Sequence, residues 1–424
     1  MKLLFPLLLF LTSSLATCVR AQNALIYKVA PEEQGFDPAR LARVDSFLQD
    51  LVSRGIIPNA QTLIARRGKV VHRGTYGLAD VETRRAAKPD NIYRIASQTK
   101  ALVSVGLMRL FEQGKFLLED PIANYLPAFY QMQVIDSVNE KTGAYHLVPA
   151  TEPITIRHLL SHSAGIPYEL PAEAQHPELA VPFFASLENE TTEQVVNRIA
   201  RRPLVHQPGE KFTYGLNTDV IGRLVEVLSG QPLDEYMQEH VFRPLGMTDS
   251  HFYLPTDKHA RLVSLYSRPD NGGPLHLHEN ATYRTFATAG AQRYHSAGAG
   301  SLGTIDDYAK FCEMIRNYGR LPNGDYLLNP RTVRLMTRNH LGEAEVWNRR
   351  DKFGLGFQLI TENSAYGDLA TPGSFTWGGM YLSEYTIDPA EGLILLFYTN
   401  VHPIKEYSEI VRKFRILTYQ ALIR

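Results

Sequence analysis

The sequence predicts an α+β fold: one antiparallel sheet assembled from both ends of the chain, flanked by helices, with an inserted, mainly helical lobe. Three observations lead there. Strand-like runs at residues 61–65 and 69–73, joined by Arg67-Gly68, stand near the N-terminus. Further runs at residues 375–387 and 393–400, separated by Pro389-Ala390-Glu391-Gly392, stand near the C-terminus. Between them, from about residue 92 to 318, helical spacing and loops dominate. The expected division is a single domain over residues 22–424, with a sheet lobe from about 35–91 and 319–424 and a helical lobe from about 92–318. The cleft between the lobes is the default place for a site.

Taken in order, residues 1–21 read as a secretory signal. Lys2 opens it, residues 3–11 form an apolar core too short to span a bilayer, and Val19-Arg20-Ala21 offers a cleavage site before Gln22. Export to a periplasmic or extracellular location is expected. The alternative is a lipid anchor at Cys18, although Thr17 before it fits that signal poorly. Without Cys18 only Cys312 remains, so no intramolecular disulfide is expected and stability must come from the core.

The 424 residues carry 44 Lys plus Arg and 44 Asp plus Glu, and 44% are hydrophobic. This is an ordinary globular balance, and zero net charge offers nothing to nucleic acid. Asp37 followed by Pro38 marks a helix start, and Leu41, Val44, Phe47, Leu48 and Leu51 form an apolar face behind it. At the other end Tyr407, Ile410, Val411, Phe414 and Leu417 do the same.

The chemistry concentrates in Ile95-Ala96-Ser97-Gln98-Thr99-Lys100, which runs straight into an apolar stretch ending at Met108. A serine and a lysine three residues apart share one face of a helix, about one turn from each other. The apolar run behind them makes that helix a buried one. Burial disfavours the ammonium form, so Lys100 is expected to accept a proton from Ser97, and the helix N-terminus to favour an oxyanion beside it.

The remaining polar motifs divide. His158 and His162 stand four apart without the glutamate of a zinc-peptidase motif, and both read as structural. His276 and His278 have no third ligand, and no metal or cofactor is expected. Gly298-Ala299-Gly300-Ser301-Leu302-Gly303 lacks the lysine of a phosphate loop and reads as a packed turn before a helix at Asp306. Residues 140–190 and 261–290 are loop-rich and could flap near the cleft. Tyr214 stands at a turn ahead of a helix at 219–229, where a nearby ammonium would let its hydroxyl ionise more readily than the usual ~10. Trp377-Gly378-Gly379-Met380 falls on the expected edge strand. Its glycines would let backbone approach a substrate and leave the next N–H to bind an oxyanion. Taken alone, Tyr214 reads as a packed core residue and the glycine pair as a β-bulge.

Together, Ser97-x-x-Lys100, Tyr214 and Gly378-Gly379 resemble the serine β-lactamase and penicillin-binding-protein superfamily, in the order of class C β-lactamases and family VIII carboxylesterases. His158-Leu159-Leu160-Ser161-His162-Ser163-Ala164-Gly165, Pro244-Leu245-Gly246-Met247 and Gly300-Ser301-Leu302 have the same look, and the resemblance covers roughly residues 35–420. It implies a β-lactamase-like fold with Ser97 as acylated nucleophile and Lys100 and Tyr214 sharing the proton transfers. It also implies an oxyanion hole from the backbone N–H groups of Ser97 and Met380, with Trp377, Gly378 and Gly379 against the substrate.

Two departures bear on substrate. Where the β-lactamases have Tyr-Ser-Asn or similar, this chain has Tyr214-Gly215-Leu216, and Asn217 would point elsewhere from a regular helix. Where they have Lys-Thr-Gly, it has Trp377-Gly378-Gly379, similar to the family VIII esterases. The lysine that would pair with a lactam or peptide carboxylate is gone, and losing such a bond costs ~1.5–3 kcal/mol. The expected function is an exported carboxylesterase that cleaves neutral acyl esters through an acyl-serine, with water or an alcohol as acceptor. A β-lactamase or D-amino-acid peptidase on cell-wall material is the alternative within the same mechanism. A non-catalytic penicillin-binding-like protein is the alternative outside it, and would not label at Ser97. The expected partner is a small-molecule ester or a cell-wall-derived substrate, and nothing in the sequence specifies an oligomeric state.

Overall fold

The computed structural model describes residues 25–182, 188–269, 272–364 and 369–424, so the expected signal and Cys18 lie outside the described residues. The fold is mixed α+β, as the sequence predicts. Five helices frame it: α1 (Pro38–Ser53), α2 (Thr99–Glu112), α3 (Asn217–Ser229), α4 (Ile305–Arg316) and α5 (Tyr407–Tyr419). Eight strands form its main sheet: β1 (Asn59–Arg66), β2 (Lys69–Asp80), β3 (Arg85–Ala86), β4 (Lys352–Phe353), β5 (Gln358–Leu359), β6 (Phe375–Gly379), β7 (Ser383–Asp388) and β8 (Leu393–Tyr398). Their order is β4-β5-β6-β7-β8-β1-β2-β3, antiparallel throughout.

The two ends of the chain meet in the middle of this sheet. β8 pairs with β1 from Gln61 opposite Tyr398 to Arg66 opposite Leu393. Every residue of β1, β7 and β8 is buried, because helices cover both faces. Ile64, Leu395 and Phe397 pack with α1 and α5. Leu63, Ile394 and Leu396 point the other way, into a larger core shared with α2, α3 and α4. α1 begins where Asp37 caps it, accepting from the Arg40 N–H at 3.1 Å, with Leu41, Val44, Leu48 and Leu51 buried as its spacing requires.

The structure departs from the sequence reading in three places. The run at 375–387 is a hairpin and not one strand: β6 and β7 turn at Met380–Tyr381–Leu382, with Leu382 in the left-handed region at φ 63°. No glycine, proline or asparagine marks that turn, so periodicity alone ran through it. β6 is also not a full edge strand. β5 pairs with it through Phe375 and Thr376 only. Finally, residues 133–149, in and beside a stretch the sequence leaves unassigned, form a small hairpin of Gln133–Val138 against Tyr145–Pro149. Among the described residues no helix is long and apolar enough to cross a membrane.

Leu396 is fully buried at the junction of β8 with β7 and the larger core. Leu396→Ala is expected to cost about 2–5 kcal/mol of folding stability, read as a lower urea midpoint at unchanged slope.

Candidate active site

Ser97 sits in a single 3-10 turn, Ala96–Gln98, that leads into α2. Ala96 is held at φ 46°, a left-handed conformation that costs a residue with a Cβ about 1–3 kcal/mol. The surroundings over-determine the turn. Tyr308 of α4 donates to the Gln98 carbonyl at 3.0 Å, and Tyr398 of β8 donates to the Gln98 side chain at 2.7 Å. Thr99 donates to the Ala96 carbonyl at 2.6 Å. The sheet thus dictates where the serine stands.

Lys100, one turn further on, is 2% exposed. Its Nζ lies 3.3 Å from Ser97 Oγ, 2.7 Å from the Tyr168 hydroxyl and 2.7 Å from the Gly298 carbonyl oxygen. Three partners match the three N–H bonds of an ammonium. The ring of Tyr214 lies against the same group, its centroid 4.6 Å from Nζ. The Tyr214 hydroxyl accepts from Trp377 Nε1 at 3.2 Å. The phenol bonded to Lys100 is therefore that of Tyr168, whereas the sequence places only Tyr214 beside the lysine.

Tyr168 was not visible as a site residue. It lies in the loop-rich 140–190 stretch, without periodicity, just after His158–Gly165. Burial is the first cause that pushes its hydroxyl well above the usual tyrosine range. Tyr214 and Asp219 add to the rise, and a hydrogen bond with Ser97 works against it. Gly215 explains the unusual Tyr214-Gly215-Leu216: a Cβ there would strike the Ile166 carbonyl and Pro167. Glycine lets this loop lie against Tyr214, so the two phenol rings meet edge to face at 5.3 Å.

The sequence places Asp219 only at the start of a helix. It is a fully buried carboxylate whose Oδ1 accepts from Ser296 Oγ (2.8 Å), Tyr294 (3.0 Å) and the Gly298 N–H (3.2 Å). It therefore fixes the turn whose Gly298 carbonyl receives Lys100. Burial pushes its carboxyl above the usual value, and the Lys100 ammonium followed by these hydrogen bonds pulls it part of the way back. A lone acid in an otherwise apolar helix face was the available signal.

The other expected residues fall where the turn at Met380 puts them. A Cβ at Gly379 would overlap the Ile95 carbonyl, so glycine lets the end of β6 abut the segment entering Ser97. The close approach is protein against protein, where the sequence suggested protein against substrate. Met380 and Ser97 both line one cavity of about 340 Å³, together with Tyr214, Trp347 and Trp377. Trp347, a 45% exposed residue that the sequence did not single out, stacks on Trp377 at 5.3 Å. Leu216 is buried in the core, and Asn217 turns inward, donating to the Ile166 carbonyl at 3.2 Å and sharing a 3.0 Å bond with His162 Nδ1. His158 closes a capping box with Thr155. Among the described residues no group of His, Cys, Asp or Glu is arranged to hold a metal ion.

Comparison with known proteins agrees with the fold. The Beta-lactamase family model matches residues 44–419. The esterase EstB of Burkholderia gladioli is 29% identical over 389 residues, 87% of this chain and 93% of its own. The monacolin J acid methylbutanoyltransferase of Aspergillus terreus is 29% identical over 339 residues, 74% of this chain and 78% of its own. Among solved structures, EstCE1, a hydrolase with promiscuous acyltransferase activity, superposes with a TM-score of 0.75 at 28% identity, covering 89% of this chain and 99% of its own.

His162 carries a testable consequence. Burial first, and the Lys100 ammonium second, hold its imidazole well below the usual 6.5. The unfolded chain therefore binds a proton there below about pH 6.5 that the folded chain refuses, and this contribution to stability is lost as pH falls. His162→Asn keeps a residue that tolerates the φ of 55° found there. It should flatten the decline in urea stability between pH 7 and 5 by up to one proton, about 1.4 kcal/mol per pH unit.

Proposed function

The chain belongs to the beta-lactamase family of serine hydrolases, and from that premise we propose an exported esterase that cleaves acyl esters through an acyl-serine on Ser97. The observation that carries this reading is the 3.3 Å contact of Lys100 Nζ with Ser97 Oγ, in a pocket where Nζ is anchored on its far side by the Gly298 carbonyl. A free amine in that position still donates to Gly298 and turns its lone pair toward the hydroxyls of Ser97 and Tyr168.

In acylation, Ser97 Oγ forms a bond to the ester carbonyl carbon while its proton passes to Lys100. The carbonyl oxygen becomes an oxyanion against the N–H groups of Ser97 and Met380. Collapse breaks the bond to the alcohol, whose oxygen takes a proton from Tyr214 or Tyr168. The proton held by Lys100 returns to that phenol, directly at Tyr168 and through Tyr168 at Tyr214, so that the amine is free again for the second half. Water then repeats the sequence on the acyl-serine and frees Ser97. An alcohol in place of water would give acyl transfer, the reaction class of the Aspergillus methylbutanoyltransferase. The aromatic wall of Tyr214, Trp347 and Trp377 suits an ester better than the carboxylate of a β-lactam placed at Trp377.

Two measurements test this. The mature protein is expected to hydrolyse p-nitrophenyl butyrate far better than a chromogenic cephalosporin, and Ser97→Ala to abolish both turnover and fluorophosphonate labelling. Efficient cephalosporin cleavage would overturn the esterase assignment, and unlabelled Ser97 would overturn the acyl-serine. Tyr168→Phe and Tyr214→Phe are each expected to lower kcat by roughly 10²-fold or more. Unchanged kcat in Tyr168→Phe would reduce that residue to packing.

A further inference from the structure

Neither glycine of Trp377-Gly378-Gly379-Met380 has a left-handed backbone, so what the pair supplies is space. The two spaces have different uses. Gly379 makes room for the Ile95 carbonyl. A Cβ at Gly378 would instead strike the hydroxyl of Tyr407, and would meet Glu384 Oε2 at 2.6 Å. Successive residues of a strand face opposite ways. Trp377 accordingly belongs to the larger core, whereas Tyr407, over Gly378, packs with the core on the other face of the sheet.

Tyr407 is the first residue of α5, and its hydroxyl donates to the carbonyls of Gly379 at 3.2 Å and Ser383 at 3.3 Å. These two residues face each other where the β6–β7 turn closes. Burial first, then Glu384 and Tyr214, push the hydroxyl well above the usual tyrosine range, so it keeps the proton it donates. The Gly379 carbonyl and the Met380 N–H are two ends of one trans peptide group, which is planar. A grip on the oxygen therefore sets the direction of the hydrogen. Among the described residues the Met380 N–H has no acceptor within the protein, and Met380 lines the cavity with Ser97. The His402 imidazole hydrogen-bonds the Met380 backbone in the sense that favours its protonated form, so it meets the carbonyl and leaves the N–H open.

We propose that Tyr407 is a positioning residue for the reaction at Ser97: by donating to the Gly379 carbonyl it aims the Met380 N–H at the oxyanion. This rests on the esterase reading and gives its oxyanion hole a support on the opposite face of the sheet. Gly378 is then a glycine because the hydroxyl occupies the place of its side chain. A donor already oriented before charge develops pays no reorganisation in the transition state, and that is where oxyanion donors gain their effect. Donation into the carbonyl also polarises the peptide and strengthens its N–H as a donor. The ground-state ester oxygen carries little charge, so the contribution falls on kcat and not on KM.

Tyr407→Phe keeps the packed ring and removes only the hydroxyl. With p-nitrophenyl butyrate it should lower kcat by roughly ten-fold at little change in KM, less than the roughly 10²–10³ that follows outright loss of an oxyanion donor. The discriminating substrate is p-nitrophenyl thionobutyrate, whose sulfur is a poorer acceptor and draws less from the N–H groups. The ratio of oxo- to thiono-ester kcat/KM should therefore fall in Tyr407→Phe, whereas general damage to the site lowers both rates alike. Gly378→Ala keeps the tyrosine but displaces its hydroxyl, and should lower the same ratio, however Tyr407→Phe folds. The double variant should be no worse than the poorer single one, because both act through one contact. Tyr419→Phe removes another buried hydroxyl from α5, one bonded to Asp388 at 2.7 Å, and should leave the ratio alone. Unchanged kcat in Tyr407→Phe, oxo and thiono rates that fall together, or additive losses in the double variant would overturn the proposal. Ester turnover by the unaltered protein in that case leaves the esterase standing, whereas no turnover of any ester and no labelling of Ser97 removes both.

Discussion

A buried lysine needs acceptors on every side, and the site is built from the elements that supply them to Lys100. Taking an ammonium out of water costs several kcal/mol unless partners replace the lost hydration. Here they come from three separate parts of the chain: Ser97 on its own helix, Tyr168 from the loop after His158–Gly165, and the Gly298 carbonyl from the turn before α4. Asp219 stands behind that turn and holds it with a single oxygen. Remove the lysine and none of these placements has a reason. The buried carboxylate would face no cation, and the loop would bring a phenol to nothing.

The second constraint is backbone against backbone. The serine turn belongs to the helical part of the molecule, and Met380 belongs to the sheet. They come together because Gly379 has no side chain to keep β6 off Ile95. Tyr407 of α5 fastens the same corner, donating to the Gly379 carbonyl at 3.2 Å. Strain at Ala96 persists because hydroxyls from α4 and β8 grip Gln98 on its far side. The sheet made from the two chain ends therefore does more than close the core. It positions Ser97 and Met380 together.

The sheet, its flanking helices and the Ser97–Lys100 pair were legible because each writes a short-range pattern: alternation, helical spacing, or two functional residues three apart. Residues whose position depends on long-range packing were not. Tyr168 sits in a loop with no period, and its importance comes only from meeting Lys100, 68 residues earlier in the chain. Asp219 could be seen as a charge on an apolar helix, but its partners Tyr294, Ser296 and Gly298 lie more than seventy residues on. The turn at Met380 was hidden for the opposite reason. Its residues are apolar, buried and good strand formers, so local preference and tertiary structure disagree there. Gly215 had a visible oddity, a glycine after the tyrosine, but the backbone that needs the room comes from another loop.

Trp377 shows how one replacement reorganises a cleft. An indole offers a single donor and no acceptor, and here it donates to the Tyr214 hydroxyl at 3.2 Å. A phenol that accepts from Trp377 has its own proton free to point elsewhere, into the cleft or along the path to Tyr168. In the proposed mechanism that is the proton the departing alcohol needs. A lysine at the same position would also donate to the phenol, but its charge would favour the ionised form and draw an anion beside Ser97. The indole holds the phenol without either effect, and its ring extends the apolar surface shared with Trp347.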